Sequence, residues 1–443
     1  MKRLTSKFQS IDRSRLRRLA SEGSWILVGQ IATVSGSLVL VRVLAEHLDP
    51  IQYGELALGL TIAGLVNQTI TGGLSVGIGR FYSVAVERDD FIGYISGSRN
   101  ILKNGTAAVA FLGFCLLVGL YCFGYSKWMG LAAAALVLSL LSGYNNALNS
   151  IQSAARQRAT VAFHGGMDAW LKIIFAVAVM LWLGKSSTAV VIGFACSSFL
   201  ITLSQFIFLR KTIALNKSIS LDSDYWQRQI WIYSLPFCIF GLFTWMQQAS
   251  DRWALSLFST EAEVGQYAVL FQLGYAPITV ATGAVAGFFV PIFYRRAGDA
   301  TDQSRNMNVH RLTWTLTRLS LLATVLAASF AFAFHKSLFD ILVPPKYQSV
   351  SYLLPWMLLA GGLFAAAQML SLKLMSEMKS SNLAKIKIIT ALLGVIFNTA
   401  GAAYMGTPGV VAGLLLFSII YFVWMAILGR RSVRHNTEVL VIL

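Results

Sequence analysis

Apolar runs of about 20 residues, the length that crosses a bilayer, recur twelve times along this chain. They predict spans at Ser24–Ala45, Gly54–Gly77, Leu102–Gly124, Trp128–Leu148, Thr160–Gly184 and Thr188–Leu209. The second set is Ile230–Ser250, Val264–Val290, Leu312–Phe334, Ser351–Leu372, Ala384–Met405 and Pro408–Leu428. Only 12% of the 443 residues are charged, against about 25% in soluble domains. There is too little polar surface to face water all round. The chain is expected to be an all-α polytopic membrane protein with about twelve transmembrane helices.

The +17 net charge orients the helices; it does not predict nucleic-acid binding, since no soluble basic domain is present to do it. Of 36 Lys and Arg, Arg42, Lys172 and Arg318 are counted with the spans, and the others, including Lys103, Lys385 and Lys387 at span edges, with the side they flank. One side of the membrane holds only Lys127, Lys185, Arg252, Lys336 and Lys346, and the other side holds all the rest. The positive-inside rule then places both termini in the cytoplasm. Lys2–Arg18 reads as a basic arm held inside, because the apolar run after it is too long for a cleavable signal.

The charge map gives the domain plan. A basic N-terminal arm (residues 1–23) precedes a six-helix lobe (24–210). A cytoplasmic linker (211–229) joins it to a second six-helix lobe (230–429) and a tail (430–443). Tyr82–Asn100 is expected to form an interfacial amphipathic helix. The lobes carry similar turns, VRVLAEHLDPIQYGELAL after span one and SDRWALSLFSTEAEVGQYAVL after span seven. With six spans per half, the repeat would be parallel.

Ionisable residues inside spans cost about 2.5–3.5 kcal/mol each at mid-membrane, which marks interior, wetted positions. His164, Asp168 and Lys172 recur at i, i+4, i+8 and form one helical stripe. Lys172 could attract an anion, and Asp168 could act as a coupling group with His164; alternatively the stripe neutralises itself. Arg311, Thr315 and Arg318 share a face of span nine, with no acid in helical reach of Arg318. Arg42 and Arg252 occupy matching places near the outer ends of spans one and seven. Gln30, Asn67, Gln68, Asn145, Asn149, Gln247, Gln248 and Gln272 are candidates for a polar cavity lining, or for interhelical hydrogen bonds. No metal-ligand spacing, P-loop or HExxH is present, and neither cofactor nor metal is expected.

The segments GSWILVGQ (Gly23–Gln30), Arg42 and DPIQYG (Asp49–Gly54) resemble the opening of the polysaccharide-transporter family. That family includes the Wzx-type O-antigen flippases of the multidrug/oligosaccharidyl-lipid/polysaccharide superfamily. YSLPFCIFGLFTWMQQASDRWALSLFSTEAEVGQYAV resembles its seventh span and following turn. VPPKYQSVSYLLPWMLLAGGLFAAAQ resembles its tenth, and Asn398 with GTPGVVAG (Gly406–Gly413) its final hairpin. The order and spacing of these segments along nearly the whole chain carry the likeness.

The resemblance implies two six-helix lobes across a V-shaped cavity in a MATE-like arrangement. It implies alternating access in the bacterial inner membrane, moving a glycan on undecaprenyl diphosphate for O-antigen, capsule or exopolysaccharide. Membrane lipid, a polysaccharide polymerase and chain-length machinery are the implied partners. Such an anionic headgroup would need interior cations, and Arg42, Lys172, Arg252 and Arg318 are the ones expected. The competing expectations are a cation-coupled multidrug exporter, which would need acids in its cavity, and an intramembrane glycan polymerase or glycosyltransferase.

Overall fold

A backbone in hydrocarbon must satisfy its own hydrogen bonds, so only helices or closed barrels can cross it. The computed structural model describes residues 13–215, 222–297, 303–376 and 380–441, and their regular structure is entirely helical. The start of the basic arm and the middle of the linker lie outside the described residues.

The helices of the first half are α1 (Arg13–His47), α2 (Pro50–Val66), α3 (Gly72–Glu87), α4 (Phe91–Cys122), α5 (Met129–Ala154), α6 (Arg158–Leu183) and α7 (Ser187–Leu215). The second half has α8 (Ser223–Phe258), α9 (Glu261–Gly274), α10 (Ala276–Ala297), α11 (Gln303–Leu342), α12 (Leu354–Ser376) and α13 (Ser380–Val441). A π-helical turn, Asn67–Thr71, joins α2 to α3, and α13 bends at Gly406. With α2–α3 and α9–α10 each taken as one rod, and α13 divided at its bend, the described chain forms twelve rods. Among the described residues nine helices, one of them the bent α13, are long and apolar enough to cross a bilayer on length and composition alone. Large apolar side chains such as Phe111, Phe114, Leu181, Trp182, Leu257 and Phe332 are exposed on the outside, as a lipid-facing belt requires.

Local sequence sets the ends. Asp49 caps α2 by accepting the Gln52 amide, and Pro50 occupies the first turn, where its missing N–H costs nothing. Thr260 caps α9 by accepting the Glu263 amide, and Glu261 and Glu263 sit where the helix dipole favours anions. Gly406 turns the last hairpin with φ +58°, a left-handed conformation open to glycine. The stretch expected as an interfacial helix differs: α3 runs on to Glu87, and α4 starts at Phe91 after a break capped by Asp90. The polar residues there extend two membrane helices beyond the apolar zone.

Within the first half, α1 packs on α6, α6 on α7, α7 on α5, and α5 on α2 and α3. Within the second, α11 packs on α12, α12 on α10 and α13, and α13 on α8. The most extensive contacts between the sets are those of α2 with α9, and of α3 and α4 with α8.

At the end far from the termini the two similar turns meet. A Cβ on Gly54 would stand 2.1 Å from the Glu261 carbonyl oxygen, and one on Gly265 would stand 1.9 Å from that of Pro50. Only glycine allows this approach. Lys127 bridges the same crossing, 2.6 Å from Glu55 and 3.5 Å from Glu261. The Lys346 ammonium and the Tyr347 hydroxyl both donate to the Leu48 carbonyl, at 2.6 and 3.1 Å. The Glu55 carboxylate holds the Lys127 ammonium above its ordinary lysine value, and Glu261 adds to the effect. Stability from a raised lysine is present below its unfolded value and lost as pH rises through the folded one, so this bridge is intact at neutral pH. At the other end the Trp226 indole donates to Asp90 at 2.6 Å, and Arg88 donates to the Tyr225 hydroxyl at 2.7 Å.

Gly265→Ala is expected to destabilise the protein by about 1–3 kcal/mol through overpacking, seen as a lower thermal midpoint of the detergent-purified protein. Gly119→Ala, where nothing stands within 4 Å of the new Cβ, should leave that midpoint unchanged. Equal midpoints for Gly265→Ala and wild type would refute the tight crossing.

Candidate functional site

The second half encloses a cavity of about 530 Å³, within the range of small-molecule sites. Its wall combines three kinds of group. Phe240, Phe243, Phe271, Tyr275, Phe364, Phe417 and Tyr421 supply aromatic surface. Thr244, Gln247, Gln248, Thr279, Thr282, Gln368, Ser371 and Thr390 supply neutral hydrogen-bonding groups. Arg252 and Lys387 supply positive charge, and among the described residues no Asp or Glu lines the cavity.

Helix periodicity builds this lining. On α8, Phe240, Thr244, Gln247, Gln248 and Arg252 recur at three- and four-residue spacing and share a face. The Arg252 guanidinium lies 4.7 Å from the Phe271 ring centroid and reaches the Gln248 carbonyl at 3.4 Å. Its neighbour Asp251 is buried and accepts the Tyr267 hydroxyl at 2.6 Å and the Arg252 amide at 2.7 Å. The aspartate thus serves the helix packing and leaves the guanidinium to the cavity. Rings continue from Phe271 to Tyr275 (centroids 4.9 Å) and from Phe364 to Tyr421 (5.5 Å).

Lys387 was not among the residues expected here. Counted as one of the basic residues flanking a span, it has the signature of a membrane-edge anchor. The helix carries it inward with Thr390 and Ala391, which also line the cavity. Its ammonium rests 5.3 Å from the Phe240 ring centroid. The available signal was its place three residues inside the predicted eleventh span, with Thr390 one turn on.

The other expected residues lie elsewhere. Lys172 donates to Asp168 at 2.5 Å, and the Ser197 hydroxyl donates to the other Asp168 oxygen at 3.2 Å. The stripe on α6 thus neutralises itself, and His164 is fully buried against Ser204 at 3.0 Å. Arg318 is exposed on α11, on a face shared with the exposed Leu322 and Val325. Arg42 is half-buried, with one guanidinium nitrogen enclosed and unbonded, and does not line the cavity. Asn145 bonds to Ser198 and Thr202, and Asn149 to Gln205, tying α5 to α7. Asn67 accepts the Thr71 hydroxyl within the π-turn. Gln68 donates to Gln248 at 2.7 Å across the two halves. Gln30 and Gln272 are half-buried and outside the lining. Of the expected set, the structure brings Arg252, Gln247 and Gln248 together in one cavity, with Gln68 hydrogen-bonded to its edge.

Two sequence patterns reminiscent of enzymes are used structurally. Gly73–Gly77 reads GLSVG, but Ser75 lies inside α3 and donates to the Thr71 carbonyl at 2.7 Å. Asp222 of the run DSD caps α8 by accepting the amides of Asp224 and Tyr225.

The arrangement of helices matches solved transporters along nearly the whole chain. A mutant of the Vibrio cholerae MATE transporter VcmN is similar over 96% of this chain and 98% of its own, with a TM-score of 0.63 at 15% identity. The lipid II flippase MurJ, in an inward closed conformation, is similar over 95% and 91%, with a TM-score of 0.66 at 12% identity. An outward-facing multidrug resistance MATE family transporter of the MOP superfamily is similar over 94% and 97%, with a TM-score of 0.60 at 16% identity. The fold is that of the MATE and MurJ transporters. No protein-family model matches the chain, and no curated protein sequence matches it.

The α6 ion pair is testable. Asp168→Asn and Lys172→Met should each lower the thermal midpoint of the purified protein. The double variant should lose less than the sum, with a coupling of about 0.5–3 kcal/mol. Strict additivity would show that the two groups do not act as a pair.

Proposed function

We propose that this protein is a flippase that moves a lipid-linked oligosaccharide, carried on a polyprenyl diphosphate, across the bacterial inner membrane. The observation that carries this reading is the cavity wall, which presents cations, neutral hydrogen-bonding groups and aromatic rings, and no acid among the described residues. A diphosphate loses its hydration when it enters a low-dielectric interior, and fixed cations offset that loss. Arg252 suits the task, since its planar fork matches phosphoryl oxygens two at a time. The amides and hydroxyls around it suit sugar hydroxyls. The apolar tail can remain in the bilayer, so the cavity has to accept only the polar end of the cargo.

The orientation follows from the charge map. Lys and Arg concentrate at the end that holds the helix termini, which the positive-inside rule assigns to the cytoplasm. The Gly54–Gly265 crossing, Lys127 and Lys346 then lie on the opposite side and form the outer closure. On this reading the two similar halves act as two lobes, and loading comes from the inner leaflet.

Multidrug export is the second reading, since it is the activity printed for one solved structure with this fold. Cationic drugs need a carboxylate in the cavity, and the nearest, Asp251, is committed to Tyr267 and the Arg252 amide. The cavity chemistry supports an anionic cargo instead.

Deleting the gene should make a glycolipid diphosphate accumulate on the inner leaflet, identified by mass spectrometry of extracted lipids. Complementation with Arg252→Gln should leave export at least about tenfold below wild type at equal protein levels, with Arg252→Lys intermediate. Full export by Arg252→Gln, or accumulation of cationic dye in place of glycolipid, would reject the assignment.

A further inference from the structure

A hydroxyl buried inside a membrane protein is normally bonded, because hydrocarbon offers it nothing. Most buried hydroxyls of this chain follow that rule. Tyr94, Tyr267 and Tyr347 donate to the Ile78 carbonyl, the Asp251 carboxylate and the Leu48 carbonyl. Helical Ser75, Thr313 and Ser418 donate to carbonyls one turn back. Among the described residues the buried hydroxyls of Tyr53, Ser98 and Ser234 have no bonding partner. Two of these residues, Tyr53 and Ser234, are 0% exposed and are seated in the contacts between the two halves.

Tyr53 adjoins Gly54 in the outer crossing, and its ring meets that of Tyr347, from the second half, edge to face at 5.8 Å. Ser234 lies where α8 crosses α3, and a Cβ on Gly77 would stand 2.2 Å from its Oγ. That crossing continues the inner contact of Trp226 with Asp90, about two turns further along α8. Each closure between the halves therefore holds one enclosed, unbonded hydroxyl beside a glycine contact. Phenylalanine at 53 and alanine at 234 would occupy the same space without burying an O–H. The cost falls on the shut form alone. Once a closure parts, water reaches its hydroxyl and bonds it.

Taking the halves as lobes that open to alternate sides, which rests on the reading proposed above, we infer that Tyr53 and Ser234 form a balanced pair of gate residues. Each makes its own closure less stable when shut, Tyr53 the outer one and Ser234 the inner one. Matching handicaps at the two ends keep neither closure dominant. The protein can then pass between forms open to either side, with both populated.

Hydroxyl-radical footprinting of the full-length protein in nanodiscs reads each closure through an enclosed aromatic residue, Tyr347 for the outer one and Trp226 for the inner one. The exposed Tyr404 serves as reference. Tyr53→Phe should lower oxidation of Tyr347 about fivefold or more, with Trp226 oxidation unchanged or raised. Ser234→Ala should do the converse. Both substitutions should raise the thermal midpoint of the purified protein. A lower midpoint with more oxidation at the variant's own closure would show that the hydroxyl is bonded in the shut form, by an ordered water, and overturns the inference. Unchanged oxidation at both reporters in both variants also overturns it and leaves the lobe reading intact. If wild type is oxidised at Tyr404 but at neither Tyr347 nor Trp226, the closures do not open, and the lobe reading itself falls.

Discussion

The contact on which the rest of the molecule depends is the crossing of α2 and α9, where backbone meets backbone without an intervening side chain. Gly54 and Gly265 make it possible, and each leaves room for the other helix's carbonyl. Membrane helices gain little hydrophobic energy from leaving lipid for one another, so close packing and polar contacts must hold them together. Here the closest packing lies at the joint between the two halves, and Lys127 and Lys346 add polar ties around it. Lys127 is 63% exposed on its side chain, so water and salt weaken its part of the closure. Its partner Glu55 is buried and also accepts the Ser187 hydroxyl at 3.0 Å, so the bridge joins an exposed cation to an enclosed carboxylate.

The same economy governs the interior. Each ionisable group in the bilayer has to find a partner, face water or await a ligand. Asp168 and Lys172 took the first course and Asp251 took it through Tyr267. Arg42, with an enclosed nitrogen left unbonded, sits outside the cavity. Arg252 and Lys387 instead lie against aromatic rings in the wall of the cavity. The ring faces offset part of the cost of keeping a cation there, and a bound anion would offset more.

Much of the fold was legible in the sequence because bilayer thickness fixes element length so firmly. Twelve apolar runs became twelve rods, and the two turns with matching patterns turned out to be the segments in contact. Helix ends were harder, because polar residues such as those of Tyr82–Glu87 continue a helix beyond the hydrocarbon where hydropathy no longer reports it. The site was less legible. Helical spacing correctly grouped Asp168 with Lys172, but spacing alone cannot say whether two charges bind each other or a ligand. For Arg318 the face of the helix was the missing fact, since apolar residues alternate with Thr315, Thr317 and Ser320 around it and mark neither face as interior. Lys387 was hidden for a different reason: charges near a span edge carry orientation information, and that role conceals any other.

Side-chain direction sets which way the two cavity cations lean. Helical side chains lean toward the N-terminus of their helix. Lys387 belongs to a helix that starts at the terminal end of the molecule, and Arg252 to α8, which starts at the same end. Both charges therefore lean the same way, toward the terminal end of the molecule. The Arg252 guanidinium is drawn back one turn to the level of Gln248, while the Lys387 ammonium lies over the ring of Phe240, at the middle of α8. Two cations, one from α8 and one from α13, thus share one cavity with neutral hydrogen-bonding groups and aromatic rings. Positive charge set among such groups favours a cargo with an anionic end and a polar body, with its tail left in the lipid.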